Sequence, residues 1–280
     1  MHLQHCWIVG WIAEVKSLIA FLIVFSFIAG CATHNQSKLQ SHHDTTQGSV
    51  QPLGAGTEVD PYQISRLGHL AWMAENVSSS CGKYYTMQND IDASATVGWN
   101  SGTGSSPIGE DQNRPFKGIF NGNRKVISNL TINLPSRTYF VGLFELVLDG
   151  GVVKDIGLAG GSVTGNDYVG SLVGWNCGTV SGCYATGPVT GNNCVGGLIG
   201  AGWLDDSAGM MNSCFATGRV TGDNQVGGLV GANCGIGTVS GCYATGPVTG
   251  RCEVGGLAGN NTGNATVSNC FTTGSVMGRR

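Results

Sequence analysis

A motif containing glycine and leucine recurs through the second half of the chain at nearly constant spacing. Val-Gly-(Gly/Ser)-Leu-(Val/Ile/Ala)-Gly occurs four times, and a shorter copy at residues 141–144 precedes them. The matching leucines are spaced by 29, 26, 31 and 28 residues: Leu143, Leu172, Leu198, Leu229 and Leu257. A period of this length is typical of solenoids, in which one repeat forms one turn and the stacked turns share a core.

A second block follows each leucine motif, and residues 178–191 recur unchanged as residues 237–250. Each period contains three short runs with strand character, VGGLVG, TVSGCYAT and PVTG, which Gly, Asn and Pro separate. None of these runs has a helical apolar period of useful length. The sequence therefore predicts an all-β fold, a parallel β-helix (solenoid) with turns of about 28 residues, and the twist of β-strands favours a right-handed coil.

A short helix is expected before the first turn. In residues 65–77, four apolar side chains fall on one helical face, and Ser65 occupies the position of an N-cap residue: Leu67, Leu70, Ala71 and Ala74 form that face. We expect this helix to cap the N-terminal end of the solenoid.

The Gly-Leu-(Val/Ile)-Gly signature and its TVSxCYATGxVTG companion resemble the GLUG-motif family of bacterial surface proteins. The resemblance extends upstream through residues 54–65, 89–92 and 116–132, so it covers residues 54–280. It implies a surface module that is built as a β-helix. Some members carry this module beside IgA-cleaving metallopeptidase domains, but this sequence contains no His-Glu-x-x-His, so the resemblance implies no protease here.

The N-terminal residues resemble a bacterial lipoprotein signal. Lys16 precedes an uncharged apolar run, residues 18–30, which is shorter than the about 20 residues that cross a bilayer but suits a signal-peptide core. The run ends in Ile-Ala-Gly-Cys31, which resembles the lipobox and implies lipid attachment at Cys31. An ordinary signal peptide or an uncleaved anchor would explain the same apolar run.

These features divide the chain into four segments. Residues 1–30 form the lipoprotein signal peptide, 31–53 a polar tether, 54–138 the N-terminal cap with the first β-helix turns, and 139–280 the GLUG-type repeats. The sequence therefore predicts a chain anchored in the bacterial cell envelope by its N-terminal lipid. Because Ala32 rather than Asp follows the cysteine, the outer membrane is the expected location in a Gram-negative host.

Two columns of side chains follow from the repeat spacing. The first contains Cys183, Cys214, Cys242 and Cys270, and the second contains Tyr184, Phe215, Tyr243 and Phe271. Neighbouring strand residues point to opposite faces, so inward cysteines place the aromatic rings outside. In-register cysteines on stacked turns point the same way, which predicts free, buried thiols rather than disulfides. The aromatic column is interpreted either as a ladder that stabilises the sheet or as a glycan-contact face.

Composition excludes several other functions. The net charge of −3 and the lack of a Lys/Arg cluster give no electrostatic footprint for nucleic acid. No Cys-x-x-Cys pair indicates zinc, no cofactor motif is present, and no catalytic residue is assigned. Asp90 and Asp92, at positions i and i+2, form the one carboxylate pair considered as metal ligands or an acid/base pair. A structural role for them is favoured.

The predicted function is therefore that of a non-enzymatic, lipid-anchored cell-surface module in adhesion or envelope structure. The alternative is a polysaccharide-active β-helix enzyme of the lyase type, which needs acids and Arg or Lys converging on one groove. Expected partners are the membrane, through the N-terminal lipid, and a surface glycan or protein. The last turn offers unpaired strand edges, so we expect either end-to-end association there, with another copy or a partner, or that the chain is a piece of a longer protein.

Overall fold

The computed structural model describes residues 48–109, 113–137, 139–202 and 209–278. The predicted signal peptide, the lipid-attachment residue Cys31 and residues 31–47 of the tether lie outside these ranges. No helix within the described ranges is both long and apolar enough to cross a membrane.

The N-terminal part contains strand β1 (Tyr62–Ile64) and helix α1 (Leu67–Asn76), and 3₁₀ turns at Val77–Ser79 and Ser94–Gly102. The apolar face of α1 packs into the same core as the solenoid through Leu70, Met73 and Ala74. The predicted helix is therefore present, and it lies against the N-terminal end of that core.

The prediction that Ser65 is the N-cap is wrong. The N-cap residue is Arg66, in an extended conformation and without a side-chain cap. The backbone N–H of Ser65 instead donates to Nδ1 of His69, 3.1 Å away. Gly68, the second residue of the helix, has no room for a side chain, because a Cβ there would overlap the carbonyl oxygen of Gly48.

Seven strands connect the helix to the regular repeats. They are β2 (Tyr84–Met87), β3 (Ile91–Asp92), β4 (Ile119–Ser128), β5 (Thr131–Asn133), β6 (Phe144–Val147), β7 (Val152–Ala159) and β8 (Ser162–Thr164).

The remaining strands of the described residues form four turns of five strands each. The first turn contains β9 (Asp167–Gly170), β10 (Val173–Asn176), β11 (Thr179–Ser181), β12 (Tyr184–Ala185) and β13 (Val189–Thr190). The second contains β14 (Asn193–Gly196), β15 (Ile199–Gly202), β16 (Met210–Asn212), β17 (Phe215–Ala216) and β18 (Val220–Thr221). The third contains β19 (Asn224–Gly227), β20 (Val230–Asn233), β21 (Thr238–Ser240), β22 (Tyr243–Ala244) and β23 (Val248–Gly250). The fourth contains β24 (Cys252–Gly255), β25 (Ala258–Asn261), β26 (Thr266–Ser268), β27 (Phe271–Thr272) and β28 (Val276–Gly278).

Corresponding strands of successive turns pair in parallel and form four sheets. In sheet A, β4 pairs along one edge of β7, and β11 and β12 pair with the first and second halves of β7 along the other edge. The strands β16, β21 and β26 continue from β11, and β17, β22 and β27 continue from β12. Sheet B runs from β5 to β28, sheet C from β6 to β25, and sheet D from β9 to β24. The predicted parallel β-solenoid with turns of about 28 residues is confirmed.

Each predicted strand-like run VGGLVG is in fact two strands. In the second turn, β14 belongs to sheet D and β15 to sheet C, and the chain bends between them at residues 197–198. We call this bend, with its two flanking strands, the arch. The leucine at each bend points inward, and Leu172, Leu198 and Leu229 have no exposed surface. Its N–H donates to the carbonyl of the equivalent leucine in the next turn at 2.9–3.0 Å.

The glycines of the motif are required because backbones meet across the arch. A Cβ on Gly196 would overlap the carbonyl oxygen of Ile199 in the same turn. A Cβ on Gly200 would overlap the carbonyl carbon of Tyr168 in the preceding turn. In the same way, a Cβ on Gly231 would overlap the carbonyl carbon of Cys194, and a Cβ on Gly259 would overlap that of Gln225. Only glycine permits this approach, so the motif encodes the arch.

The run TVSGCYAT is likewise broken into two strands of sheet A. The residue at the break has a left-handed backbone in every turn: φ is 62° at Gly182, 54° at Ser213, 61° at Gly241 and 52° at Asn269. This conformation bends the chain and forms a corner between the two strands. Glycine, serine or asparagine supplies it, and the sequence pattern alone does not distinguish such a corner from a continuous strand.

The strands of the last described turn pair on one side only within the described residues. Four of its apolar side chains are between 41% and 64% exposed: Val267, Phe271, Val276 and Met277. End-to-end self-association at this turn and the right hand of the coil stay predictions.

Replacement of Gly200 by alanine should destabilise the fold by about 3 kcal/mol or more, because backbone atoms cannot move away from a new Cβ without opening the arch. The matched control is Gly98→Ala, since no atom lies within 4 Å of a Cβ at that position. Urea unfolding of both variants measures the difference. A Gly200→Ala variant as stable as the Gly98→Ala variant would show that the arch has room for a side chain.

Candidate functional site

The outer surface of sheet A is the candidate site, and we call it the ladder face. Its centre is the aromatic column, and two columns of small polar residues flank it. One flank consists of Ser181, Asn212, Ser240 and Ser268, and the other of Thr186, Thr217, Thr245 and Thr273. None of these side chains carries a charge.

The four aromatic rings stack on one another in a single ladder. Tyr184 and Phe215 lie 4.8 Å apart between ring centroids with planes 2° apart, and Phe215 and Tyr243 lie 4.7 Å apart at 4°. Tyr243 and Phe271 lie 4.9 Å apart at 8°. Parallel strand pairing enforces this geometry, because Tyr184 pairs with Phe215 and Tyr243 with Phe271 in register. The prediction of a self-stacking ladder agrees with these distances.

Gly157 closes the ladder at its N-terminal end. It pairs with Tyr184 in the sheet, and a Cβ on Gly157 would overlap the tyrosine ring. At the other end, Phe271 is 57% exposed. The faces of Phe215 and Tyr243 are covered by their neighbours, so they offer ring edges to a ligand. A sugar that stacks on an aromatic face would find an open one at Phe271.

The cysteine column lies on the inner side of the same strands. Cys183, Cys214 and Cys242 are at most 1% exposed, and Cys270 packs against the core from the last turn. All four are free thiols. The predicted inward orientation is therefore confirmed. The small residues expected beside them, Ala185, Ala216 and Ala244, are also buried, whereas Thr272 in the last turn is exposed.

The thiols satisfy backbone groups at the corners of sheet A. The N–H of Cys183 donates to Sγ of Cys214 at 3.5 Å, and the N–H of Cys214 donates to Sγ of Cys242 at 3.3 Å. The N–H of Cys242 donates to Sγ of Cys270 at 3.4 Å. Each thiol in turn donates to the carbonyl two residues before it at 3.0–3.2 Å. Cysteine recurs here because its sulfur is apolar enough for the core and still bonds the corner.

The environment raises the thiol pKa of Cys214, Cys242 and Cys270. Hydrogen bonding with Cys183, followed by burial, raises the pKa of the Cys214 thiol to about 12. Hydrogen bonding with Cys214 is the largest cause that raises the pKa of Cys242, and burial raises the pKa of Cys270. Since the thiolate is the reactive form, the raised pKa lowers the reactivity of these three thiols in the folded chain.

Asp90 and Asp92 stabilise the backbone rather than form an acid/base pair. Oδ1 of Asp90 accepts the N–H of Val126 at 2.9 Å. Asp92 accepts the N–H of Ser94 at 3.0 Å and an amide hydrogen of Asn129 at 3.3 Å. The backbone N–H of Ser94 is the main reason that the pKa of Asp92 is lowered. The structural interpretation of this pair therefore fits these contacts.

The basic side chains that the structure describes between residues 139 and 278 do not converge. Lys154 lies on sheet A, where its strand pairs with Ser181, and Arg219 precedes β18 of sheet B. Arg251 precedes β24 and lies 4.0 Å from a carboxylate oxygen of Asp223. These three cations therefore occupy three different places around the turn.

The sequence did not indicate two further clusters, one ion pair and one group of aromatic side chains. The buried Glu145, which replaces the closing glycine of the first motif, pairs with Arg137 at 2.6 Å. Tyr168, Trp175 and Phe140 form a second aromatic cluster with centroids 5.0–5.3 Å apart. The irregular first copy of the motif was the available signal, because a side chain replaces glycine there.

Comparisons with known proteins agree with the repeat assignment. Residues 250–277 match the model of the GLUG motif, which is one full period of the solenoid. A stretch of 145 residues, 51% of this chain, is 38% identical to halomucin from Haloquadratum walsbyi and spans 2% of that much longer protein. The expected resemblance to GLUG-motif repeats is confirmed.

A solved structure shows the same fold. The crystal structure of a Bacteroides ovatus protein described as a candidate immunoglobulin A1 protease matches with a TM-score of 0.61. The match covers 80% of this chain and 71% of that one at 22% identity. At this identity the likeness establishes the fold alone.

Replacement of Cys242 by glutamine should destabilise the fold by about 2–4 kcal/mol, because the larger polar side chain overpacks the core and removes the acceptor of the Cys214 N–H. Cys81→Gln is the matched control, since Cys81 is exposed. Urea unfolding of both variants measures the difference.

In the native protein, thiol reagents should label Cys81 and spare Cys183, Cys214 and Cys242. Fast native labelling of the latter three would contradict the inward orientation.

Proposed function

We propose that the chain is a non-enzymatic, lipid-anchored module of the cell surface whose ladder face contacts an uncharged partner, most simply a neutral glycan. The proposal rests on the ladder face itself, whose aromatic column and two flanking polar columns repeat in register and carry no charged side chain over the four turns from Ser181 to Thr273. A partner on this face would meet ring edges and hydroxyl groups at intervals of about 4.8 Å, the spacing of paired strands.

The polar groups of the sheet support a structural role as well. The hydroxyl of Ser268 donates to the hydroxyl of Ser240 at 3.1 Å, and that of Thr266 to that of Thr238 at 3.3 Å. Some of the hydroxyl groups therefore link neighbouring turns. The cysteines and aromatic rings also bond or stack between turns. A module held together in this way is suited to hold a fixed shape outside the cell.

The distribution of charges favours this proposal over the lyase alternative. A polysaccharide lyase needs a base and a cationic group at one place, to remove a proton and stabilise the resulting anion. Lys154, Arg219 and Arg251 lie at different places around the repeats, and the acids Asp90 and Asp92 bind backbone amides. No specific observation favours the enzymatic alternative.

The comparisons support a location at the cell surface. The GLUG repeat and the similarity to halomucin agree with an extracellular repeat module. The N-terminal lipobox-like sequence provides the proposed anchor, Cys31. In a Gram-negative host the anchor would place the solenoid at the outer membrane.

Cys31→Ala should abolish lipidation and move the protein from the membrane fraction to the soluble fraction, because one thiol carries the proposed tether. Incorporation of labelled fatty acid and cell fractionation measure the two effects. A control variant, Cys81→Ala, should remain in the membrane fraction. If the wild type incorporates no fatty acid and the Cys31 variant stays with membranes, the anchor is not Cys31.

Binding of the exported chain to an array of neutral polysaccharides tests the contact face. Thr245→Lys places a charge on the ladder face and should weaken binding tenfold or more, whereas Thr249→Lys, four residues later on sheet B, should leave binding unchanged. Equal binding by both variants would show that the partner contacts another surface. Conversion of a bound polysaccharide to shorter products would show that the chain is an enzyme.

A further inference from the structure

Four tripeptides of the form Asn-x-Ser/Thr begin within the described residues, at Asn76, Asn129, Asn260 and Asn264. This tripeptide is the acceptor sequence for N-linked glycosylation of exported proteins. The sequence alone does not distinguish which of the four would be modified. The structure separates them, because modification requires a side-chain nitrogen that a transferase can reach.

The first three asparagines use the nitrogen that would be modified in a hydrogen bond of the fold. Asn76 donates Nδ2 to the carbonyl of Trp72 at 2.9 Å, Asn129 to Oδ1 of Asp92 at 3.3 Å, and Asn260 to Oε2 of Glu253 at 2.8 Å. Modification at any of them would replace a bond that stabilises a helix end, a turn or an arch.

The surroundings of these three sites add a second obstacle. The middle residues of the first two tripeptides, Val77 and Leu130, are only 2% and 4% exposed and belong to the core. A transferase could not draw these tripeptides into an extended pose without removing a core side chain. The Oδ1 atom of Asn260 is buried, so this side chain is also less accessible to a transferase.

Asn264 differs in the side chain that would be modified, although Thr266 of the same tripeptide donates its hydroxyl to Thr238 at 3.3 Å. It lies in the tight turn between β25 and β26, and its side chain is exposed. Within the residues that the structure describes, its amide makes no hydrogen bond. The middle residue Ala265 is small and lies outside the core, and Thr266 is exposed at the start of β26.

The corner that carries Asn264 has room for a bulky group. Register places Asn264 at the position of Ile236 in the preceding turn, which is 40% exposed. The 31-residue repeat places its extra residues at this same corner, between β15 and β16. Because the side chain of Asn264 is exposed, a substituent on it would project away from the core.

We propose that Asn264 is an acceptor for an N-linked glycan, an inference that rests on the proposed export of the chain. The donor is an oligosaccharide linked to a polyprenyl phosphate or pyrophosphate. Nδ2 of Asn264 forms a bond to C1 of the first sugar, the bond from C1 to the phosphate oxygen breaks, and one amide proton leaves with the phosphate group. No electron transfer is involved.

The glycan would hydrate one corner of the solenoid. The edge between sheets C and A near the last turn would become bulky and hydrophilic, and lateral contacts of that edge with other chains would be disfavoured.

The direct test uses the purified, folded chain with an oligosaccharyltransferase that requires only Asn-x-Ser/Thr, together with its lipid-linked oligosaccharide. Mass spectrometry should find one glycan, on Asn264. Asn264→Gln and Thr266→Val should abolish the modification, Thr266→Ser should retain it, and Asn129→Gln should leave it unchanged. Unfolding the chain before the reaction should also expose Asn129 to modification.

An unmodified Asn264 in the folded chain, or equal occupancy of Asn76, Asn129 and Asn260, would overturn the inference. The protein isolated from the envelope of its own host should carry a glycan on the peptide that contains Asn264. A bare peptide from a correctly exported protein would also overturn it. If export fails, the chain stays inside the cell, and the proposed function is then wrong. If export succeeds and Asn264 is bare, only the glycosylation proposal is wrong.

Discussion

The solenoid depends on one close contact, the meeting of two backbones inside each arch. Sheets C and D approach each other at glycine columns where a single methyl group would overlap a carbonyl group. Because the bend is this tight, the leucine between the two strands has only one direction to point, into the core. The repeat signature is thus explained by two needs, a side chain that fills the interior and positions that carry no side chain at all.

The remaining corners are stabilised by side chains where the backbone ladder is interrupted. At the corner of sheet A, a left-handed residue turns the chain, and the following N–H finds a sulfur in the next turn instead of a carbonyl. On the outer side of the same strands, the aromatic rings stack at the spacing that strand pairing imposes. The cysteine column and the aromatic column both join one turn to the next, so neither can form in a single isolated turn.

Much of this could be predicted from the sequence, because a repeat reports which residues share a column. The parallel solenoid, the buried cysteines and the stacked rings all follow from spacing and from the strand period of two. The two sharp bends in each turn could not be predicted, since VGGLVG and TVSGCYAT resemble continuous strands until backbone contacts are known. The Arg137–Glu145 pair lies before the regular turns. Tyr168 and Trp175 lie in the first regular turn, but the next turn carries Cys194 and Ala201 at these positions, so the repeat does not indicate an aromatic cluster.

The candidate surface follows from the same logic, since an uncharged face of hydroxyls and ring edges is what in-register repeats of Ser, Thr, Tyr and Phe produce. Its exposure to a partner depends on the turns remaining stacked as one cooperative unit. Native-state hydrogen exchange at the arches measures that cooperativity directly, at the amides of Leu172, Leu198 and Leu229, which bond to the next turn. All three amides should exchange only with the free energy of global unfolding. Exchange of one of them by local opening, with the other two still protected, would contradict the account that the arches hold the turns together.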